Sequence, residues 1–293
     1  MSKYSIKDIE KLSGIKAHTI RIWEKRHNVI EPKRTSSNIR YYDDYDLKRV
    51  LNISILNNHG LKISTIAKMA DDELHEKVVQ LSRDGNATES NVDRMIVCMI
   101  ELDERTLEKL FSEFIMRFGF EDTVIKIVYP FLKKIGVLWQ TGNISPAHEH
   151  FISNIVRQKI IVAIDSLPSP DDNENKVLLY LPDGELHELG LLFYHYIAKK
   201  NGLKTIYLGQ SVPYEDLLAI DQVHNTDFIF TSYTSPISPK EFKEHMNRLV
   251  KDLGNKTILI SGYQVTQNKL SLPDQIIKID NVEEFKHFIL NGR

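Results

Sequence analysis

The sequence predicts three folded parts: an N-terminal all-α winged helix-turn-helix, a central four-helix bundle and a C-terminal α/β unit with a Rossmann-like (flavodoxin-like) parallel sheet. Three observations predict this. The formal charge is divided, net +5 over residues 1–50 and net −7 over 51–293. The apolar period is helical as far as about residue 165 and then alternates between short branched runs and helices. Between the two regimes, Ser166-Leu-Pro-Ser-Pro-Asp-Asp-Asn-Glu-Asn175 fits neither period and reads as a linker. The 293 residues also exceed one core of about 100 to 150 residues. The boundaries are placed at 1–72, 76–168 and 176–293.

Each element follows from local pattern. Ser5 caps a short helix over 5–12 whose Ile6, Ile9 and Leu12 recur at helical spacing. Ser13-Gly14-Ile15 turns the chain, and a helix over about 17–26 points Ile20 and Trp23 inward, leaving His18, Thr19, Arg21, Lys25 and Arg26 outward. Glu31 to Tyr42 alternates basic and aromatic positions among turn residues, which suits a two-stranded wing. Helices over about 44–58 and 63–70 complete the head. A basic head on an acidic body is the pattern of a nucleic-acid reader carrying a part that should not touch phosphates.

From about 72 to 165 the pattern is helical throughout, with breaks near Asp84-Gly-Asn, at Gly119 and from Gly142 to Pro146, so four bundled helices are the economical reading. Strands are expected over 177–181, 205–208, 228–230, 257–260 and 276–279, with helices near 188–201, 214–223, 239–253 and 282–291. That alternation is a doubly wound sheet with helices on both faces, in which ligands bind beyond the carboxyl ends of the strands.

Several classes are excluded or disfavoured. No window approaches the roughly 18 apolar residues of a membrane span, the start lacks the apolar core of a secretory signal, and Cys98 has no partner for an internal disulfide. The cytoplasm is the expected address. Cys98 and His195 read as core or helix-surface residues, and no His-Glu-x-x-His, P-loop, Gly-x-Gly-x-x-Gly or catalytic triad is present, so an enzyme is not expected.

The first 70 or so residues resemble the MerR family of winged helix-turn-helix regulators, on Tyr4-Ser-Ile-Lys-Asp-Ile9, Ser13-Gly-Ile15, Thr19-Ile-Arg-Ile-Trp-Glu-Lys-Arg26 and Asn38-Ile-Arg-Tyr-Tyr-Asp-Asp-Tyr-Asp-Leu47. The resemblance implies that His18, Thr19 and Arg21 meet base edges of double-stranded operator DNA while Arg26, Arg34, Arg40 and Tyr41 meet phosphates.

Glu185-Leu-His-Glu-Leu-Gly190 resembles the Asp-x-His-x-x-Gly motif of cobalamin-binding domains, with Glu185 in place of Asp. The resemblance implies that His187 ligates cobalt from below, Glu185 holds its other ring nitrogen, and Gly190 lets the displaced nucleotide tail pass. With 41 residues intervening after Gly190, Ser232-Tyr-Thr keeps the serine of the family's Ser-x-Leu but not its leucine; with 26 intervening after Thr234, Ser261-Gly262 keeps half of its Gly-Gly. In the middle, Trp139, nine residues, then Glu149-His150 resembles the helical cap of CarH/LitR-type cobalamin photoreceptors, where these residues cover the upper face. Gln140 stands where light-responsive members carry a histidine.

Together the resemblances imply a transcriptional regulator, read as a repressor, that senses adenosylcobalamin (methylcobalamin being the other form considered), responds to light by cobalt–carbon cleavage, and works as a homo-oligomer, dimer or tetramer. Two alternatives stand beside it. A MerR-type regulator with a degenerate pocket would read another ligand or a partner protein, and a corrinoid methyl carrier would use the same bundle and sheet.

Overall fold

The structure is a computed structural model and describes residues 4–35, 38–58, 60–84, 88–140, 145–169, 175–267 and 272–291. The chain divides into two compact units, Met1–Ile155 and Val156–Arg293.

The first unit opens on α1 (Ile6–Ser13), α2 (Ala17–His27), the wing strands β1 (Lys33–Arg34) and β2 (Arg40–Tyr41), α3 (Asp44–Asn58) and α4 (Ile63–Ile66). Ser5 and Asp8 form a reciprocal capping box on α1, and Gly14 ends it in the left-handed conformation. The α2 amino terminus has no cap of its own. Glu10 supplies one from α1, its Oε2 accepting from the Ala17 N–H at 3.0 Å, which fixes the angle of the helix pair. Tyr4 and Tyr42 exchange backbone hydrogen bonds of 2.8 and 2.9 Å, so the first described residue closes the wing. Ile9, Leu12, Ile20, Trp23, Leu47, Val50 and Leu51 form the core beneath.

The unit continues through α5 (Asp71–Asp84), α6 (Thr88–Glu101), α7 (Glu104–Phe118), α8 (Phe120–Thr123), a π-helical turn (Val124–Val128), α9 (Tyr129–Gln140) and the start of α10 (Pro146–Asp165). The middle is helical, as the periodicity indicates, but the run read as unbroken between Asp84 and Gly119 divides at Leu102, whose φ is +53°. Asp103 restarts the chain as the cap of α7, accepting from the Thr106 N–H at 3.0 Å. With neither Gly nor Pro at the break, the pattern gave no warning. Helices α5 and α6 both pack on α3, and α6 also packs on α7, the π turn and α9.

The second unit holds β3 (Lys176–Pro182), α11 (Leu189–Lys200), β4 (Lys204–Val212), α12 (Tyr214–His224), β5 (Phe228–Ser232), α13 (Pro239–Leu253), β6 (Thr257–Ser261), α14 (Tyr263–Gln267), β7 (Ile276–Lys278) and α15 (Val282–Asn291). The five strands are all parallel in the order β4-β3-β5-β6-β7, a doubly wound arrangement whose topological switch point lies between β3 and β5. Val177 to Leu181 are fully buried, as a strand covered on both faces requires. Strand β4 outruns its expected end at Leu208 because a register irregularity against β3 and left-handed residues at Gly209 and Ser211 carry it to Val212. The linker residues 170–174 lie outside the described residues. No helix of the described residues is long and apolar enough to cross a membrane.

Gly262 is the tightest point of this unit. Its φ is +104°, and a Cβ there would lie 2.4 Å from the Tyr233 carbonyl and 2.6 Å from Ser232 Oγ. Gly262→Ala is therefore expected to cost about 1–3 kcal/mol in backbone strain alone, read as a lower urea midpoint. An unchanged midpoint would mean that the β5 and β6 ends are not held this closely.

Candidate nucleic-acid interface and ligand site

At the head, the inward side of α2 is Ile20 and Trp23 and the outward side is basic. His18, Arg21, Lys25 and Arg26 are exposed and Thr19 is half-buried. In the wing, Lys33 pairs with Tyr41 and Arg34 with Arg40. Residues directly opposite in an antiparallel pair share a face, so Arg34 and Arg40 put two positive charges on one face of the wing, an arrangement disfavoured without an anion. Arg34 is steadied from the turn, Nη1 donating to Asn38 Oδ1 at 2.9 Å. The other wing face is internally matched, Lys33 pairing with Asp43. The acids of the head mostly satisfy its own scaffold: Glu10 caps α2, Glu24 accepts from the Tyr42 hydroxyl, and Asp43 and Asp46 cap α3 reciprocally at 3.0 and 3.1 Å. The outward arginines thus present positive charge to a partner.

On α10, His150 Nε2 lies 3.6 Å from Glu149 Oε2, and His148 Nδ1 lies 2.8 Å from Ser145 Oγ. The side chains of Trp139 and Gln140 lie outside the described residues, so the expected upper-face residues are only partly placed.

In the second unit, the loop after β3 and the loop after β5 meet at the switch point on one carboxylate. Glu185 is buried. Its Oε2 accepts from the backbone N–H of Thr234 (2.8 Å) and of Ser235 (2.7 Å). Its Oε1 accepts from Ser235 Oγ at 2.9 Å and from the His187 N–H at 3.0 Å, and lies 2.7 Å from His187 Nδ1. Burial alone would raise the pKa of Glu185, but the hydrogen bonds from His187 and from the backbone of Ser235, His187 and Thr234 outweigh it and hold the carboxyl well below its ordinary 4.5. A carboxylate only accepts, so Nδ1 carries a proton, and in the neutral ring this tautomer puts the lone pair on Nε2. The His187 side chain is 61% exposed while its anchor is 6% exposed, an oriented ligand on a rigid base.

The loop is clasped from β4 as well. Ser211 Oγ donates to Asp183 Oδ1 and accepts from the Gly184 N–H, both at 3.0 Å, and Gln210 Nε2 donates to the Leu186 carbonyl at 2.6 Å. Glu188, next to His187 and buried, pairs with Arg157 of α10 and accepts from the Tyr207 hydroxyl at 3.0 Å. Gly190 lies in the first turn of α11, facing open space; Ser232 and Ser261 are buried Cα partners on β5 and β6. The second-unit residues named from sequence therefore gather at one end of the sheet. Sequence reasoning missed Ser235, the Thr234 N–H, Ser211 and the Arg157–Glu188–Tyr207 chain. The serine three places past Ser232, in a loop at the switch point, was the available signal for Ser235.

Among the described residues no group of three or more His, Cys, Asp or Glu side chains gathers to hold a metal ion. A single oriented imidazole suits a metal whose other positions are filled by its own macrocycle, so the donor set around His187 fits axial ligation of a corrinoid.

Comparison with known proteins bears on the head and on the helical middle. Residues 4–73 match the family described as MerR HTH family regulatory protein, and residues 92–163 match the B12 binding domain. The chain is 25% identical over 252 residues to the HTH-type transcriptional repressor CarH of Myxococcus xanthus, covering 84% of each chain. It is 24% identical over 265 residues to the repressor CarA of the same organism, covering 88% of this chain and 85% of that one. In fold it is similar to the monomethylamine corrinoid protein of Methanosarcina barkeri, with a TM-score of 0.58 at 15% identity over 71% of this chain and 100% of that one.

Two outcomes are expected. Because the folded pKa of Glu185 lies below the unfolded value, its hydrogen bonds add stability above pH 4.5 that is lost as pH falls below it. Glu185→Gln should lower the thermal midpoint at pH 7 and approach the wild type in acid; a gap that does not narrow would remove the charge from the account. At the head, Arg21→Ala should cost about 1–3 kcal/mol of operator discrimination, while Arg34→Ala should weaken all sequences alike and reduce the salt slope by about one. Binding titrations at several salt concentrations separate the two.

Proposed function

We propose that this chain, a homologue of the CarH and CarA repressors carrying a MerR-type DNA reader and a B12-binding region, is a DNA-binding transcriptional regulator that senses cobalamin through His187. The observation that carries the reading is the Glu185-held imidazole at the switch point of a corrinoid-protein fold, on the same chain as an arginine-faced helix and wing. The reported relatives that span most of the chain are repressors rather than enzymes, and repression in the cytoplasm is the output we assign.

When bound, adenosylcobalamin supplies a cobalt–carbon bond that light can break. The chain's own contribution is to orient His187 by Glu185 and to tie its loop to α10 through Glu188 and Arg157. Glu149 and His150 stand two turns upstream of Arg157 on that helix, in the segment assigned to the upper face with Trp139. We assign α10 as the path by which occupancy at His187 would be carried to Glu149 and His150. For the ligand to alter DNA occupancy it must bind the DNA-competent homo-oligomer, dimer or tetramer, more tightly than the free subunit. Breaking that oligomer then removes the multivalent grip on the operator.

The test is gel filtration of the purified chain mixed in darkness with adenosylcobalamin, before and after green light, with a DNA shift assay on the same fractions. Coelution of the corrinoid, with DNA bound in darkness and released by light, is expected. Coelution without any light response would leave a cobalamin sensor and remove the photochemical part, consistent with Gln140 beside Trp139. No coelution would favour a regulator of another ligand or a partner protein, and corrinoid binding without sequence-specific DNA binding would favour a methyl carrier. Arg157→Ala is expected to leave cobalamin binding in place and to uncouple it from DNA affinity, so that the shift assay becomes insensitive to the ligand; coupling that survives the substitution would contradict this path.

A further inference from the structure

Ser232 and Ser261 are Cα partners in adjacent parallel strands, so their side chains leave the sheet on the same side. Phe230, two residues before Ser232, points the same way. The layer on that side is already filled where the sequence motifs would seat a nucleotide tail. Tyr194, one helical turn past Gly190 on α11, is buried, with its ring centroid 4.5 Å from Phe230 and 5.0 Å from Phe285 of α15. Phe230 and Phe285 meet edge to face at 5.2 Å, closing a three-ring cluster. The Tyr194 hydroxyl lies 3.5 Å from Ser261 Oγ, and that Oγ donates to the Ile279 carbonyl at 2.8 Å, so the serine is committed to the protein. Gly262 leaves no gap towards Ser232, since a Cβ there would lie 2.6 Å from Ser232 Oγ. At Gly190, by contrast, a Cβ would meet nothing within 4 Å. The entrance beside α11 is open and the floor is shut.

We propose that this chain binds a corrinoid through the ring and the axial His187 alone, leaving the nucleotide tail outside the sheet, and that Tyr194 is the specificity-determining residue that keeps the tail out. This rests on the cobalamin-sensing reading above. A close-packed layer cannot share its volume with a benzimidazole base and ribose, and the hydroxyls that would recognise them are Ser232, pressed against Gly262, and Ser261, turned to Ile279. The loop that presents His187 is built independently of that layer, on Glu185, Thr234 and Ser235. Ligation and tail recognition are therefore separable here. The sensor would accept corrinoids that differ in, or lack, the lower base.

The test titrates the full-length protein with aquacobalamin and with diaquacobinamide, which lacks the nucleotide, following the absorption spectrum and the cobalt retained after gel filtration. Diaquacobinamide is expected to bind at least as tightly as aquacobalamin, whose own base must leave cobalt before His187 can take its place with no compensating contact to the tail, and Tyr194→Ala should shift the preference about tenfold or more towards aquacobalamin while keeping its affinity for diaquacobinamide. Wild-type binding of aquacobalamin more than about tenfold tighter than diaquacobinamide would overturn the proposal and leave the corrinoid-sensor reading standing. If neither is retained, the reading fails and the proposal fails with it. Should Tyr194→Ala not fold, the wild-type comparison decides alone.

Discussion

The second unit depends on one buried carboxylate. Glu185 lies where the sheet order reverses, and the two loops that diverge from β3 and β5 have no continuous ladder to hold them together beyond the strand ends. An ionised carboxylate accepts several hydrogen bonds: one oxygen takes two backbone donors from the loop after β5, and the other takes a hydroxyl from that loop and the N–H of His187 from its own. The same bonds that offset its burial aim His187. The position of the imidazole is thus not an added feature of the fold: without that pairing, the loops that define the crevice would leave backbone N–H groups of Thr234 and Ser235 unsatisfied.

The head uses its acids in a related way. Glu10, Glu24, Asp43 and Asp46 are spent on caps and tyrosine hydroxyls inside the scaffold, leaving Arg21, Arg26, Arg34 and Arg40 outward. Burial raises the pKa of Asp46 to about 6, with the nearby Asp43 adding to the shift, so this cap holds its protons tightly for an aspartate. Arg34 and Arg40, opposed in register, are costly alone and favourable beside a polyanion, which is the electrostatic form of a DNA-reading wing. Glu188 then extends the acid-centred plan across elements, joining the His187 loop to β4 through Tyr207 and to α10 through Arg157.

Much of this was legible because it rests on period and spacing. The strand runs, the helix, turn, helix of the head, and the Glu185-x-His187-x-x-Gly190 spacing are local and needed no tertiary information. What was not legible depends on conformation or on what fills a space. Leu102 breaks a helix by adopting a positive φ that nothing in Ile-Glu-Leu-Asp announces, and β4 continues through Gly209 and Ser211 by irregularity rather than alternation. The run Leu189-Gly-Leu-Leu-Phe-Tyr-His-Tyr-Ile is apolar all round, so its sequence marks a buried helix without revealing that Tyr194 occupies the layer beside Ser261. Ser232 and Ser261 are register partners at the ends of β5 and β6, yet their hydroxyl environments differ from what the motif alone suggests. A matching residue identity constrains where a side chain lies, and its neighbours decide what it can still bind.

The central claim is that His187 supplies the axial nitrogen to the cobalt of a corrinoid. Electron paramagnetic resonance of the protein loaded with cob(II)alamin, prepared with ordinary and with nitrogen-15-labelled histidine, tests it most directly. The account predicts that the triplet splitting of each cobalt line becomes a doublet on labelling, and that labelled His187→Ala shows no doublet. A triplet that persists in the labelled protein would mean that the cofactor keeps its own base, and His187 would then have no part in sensing.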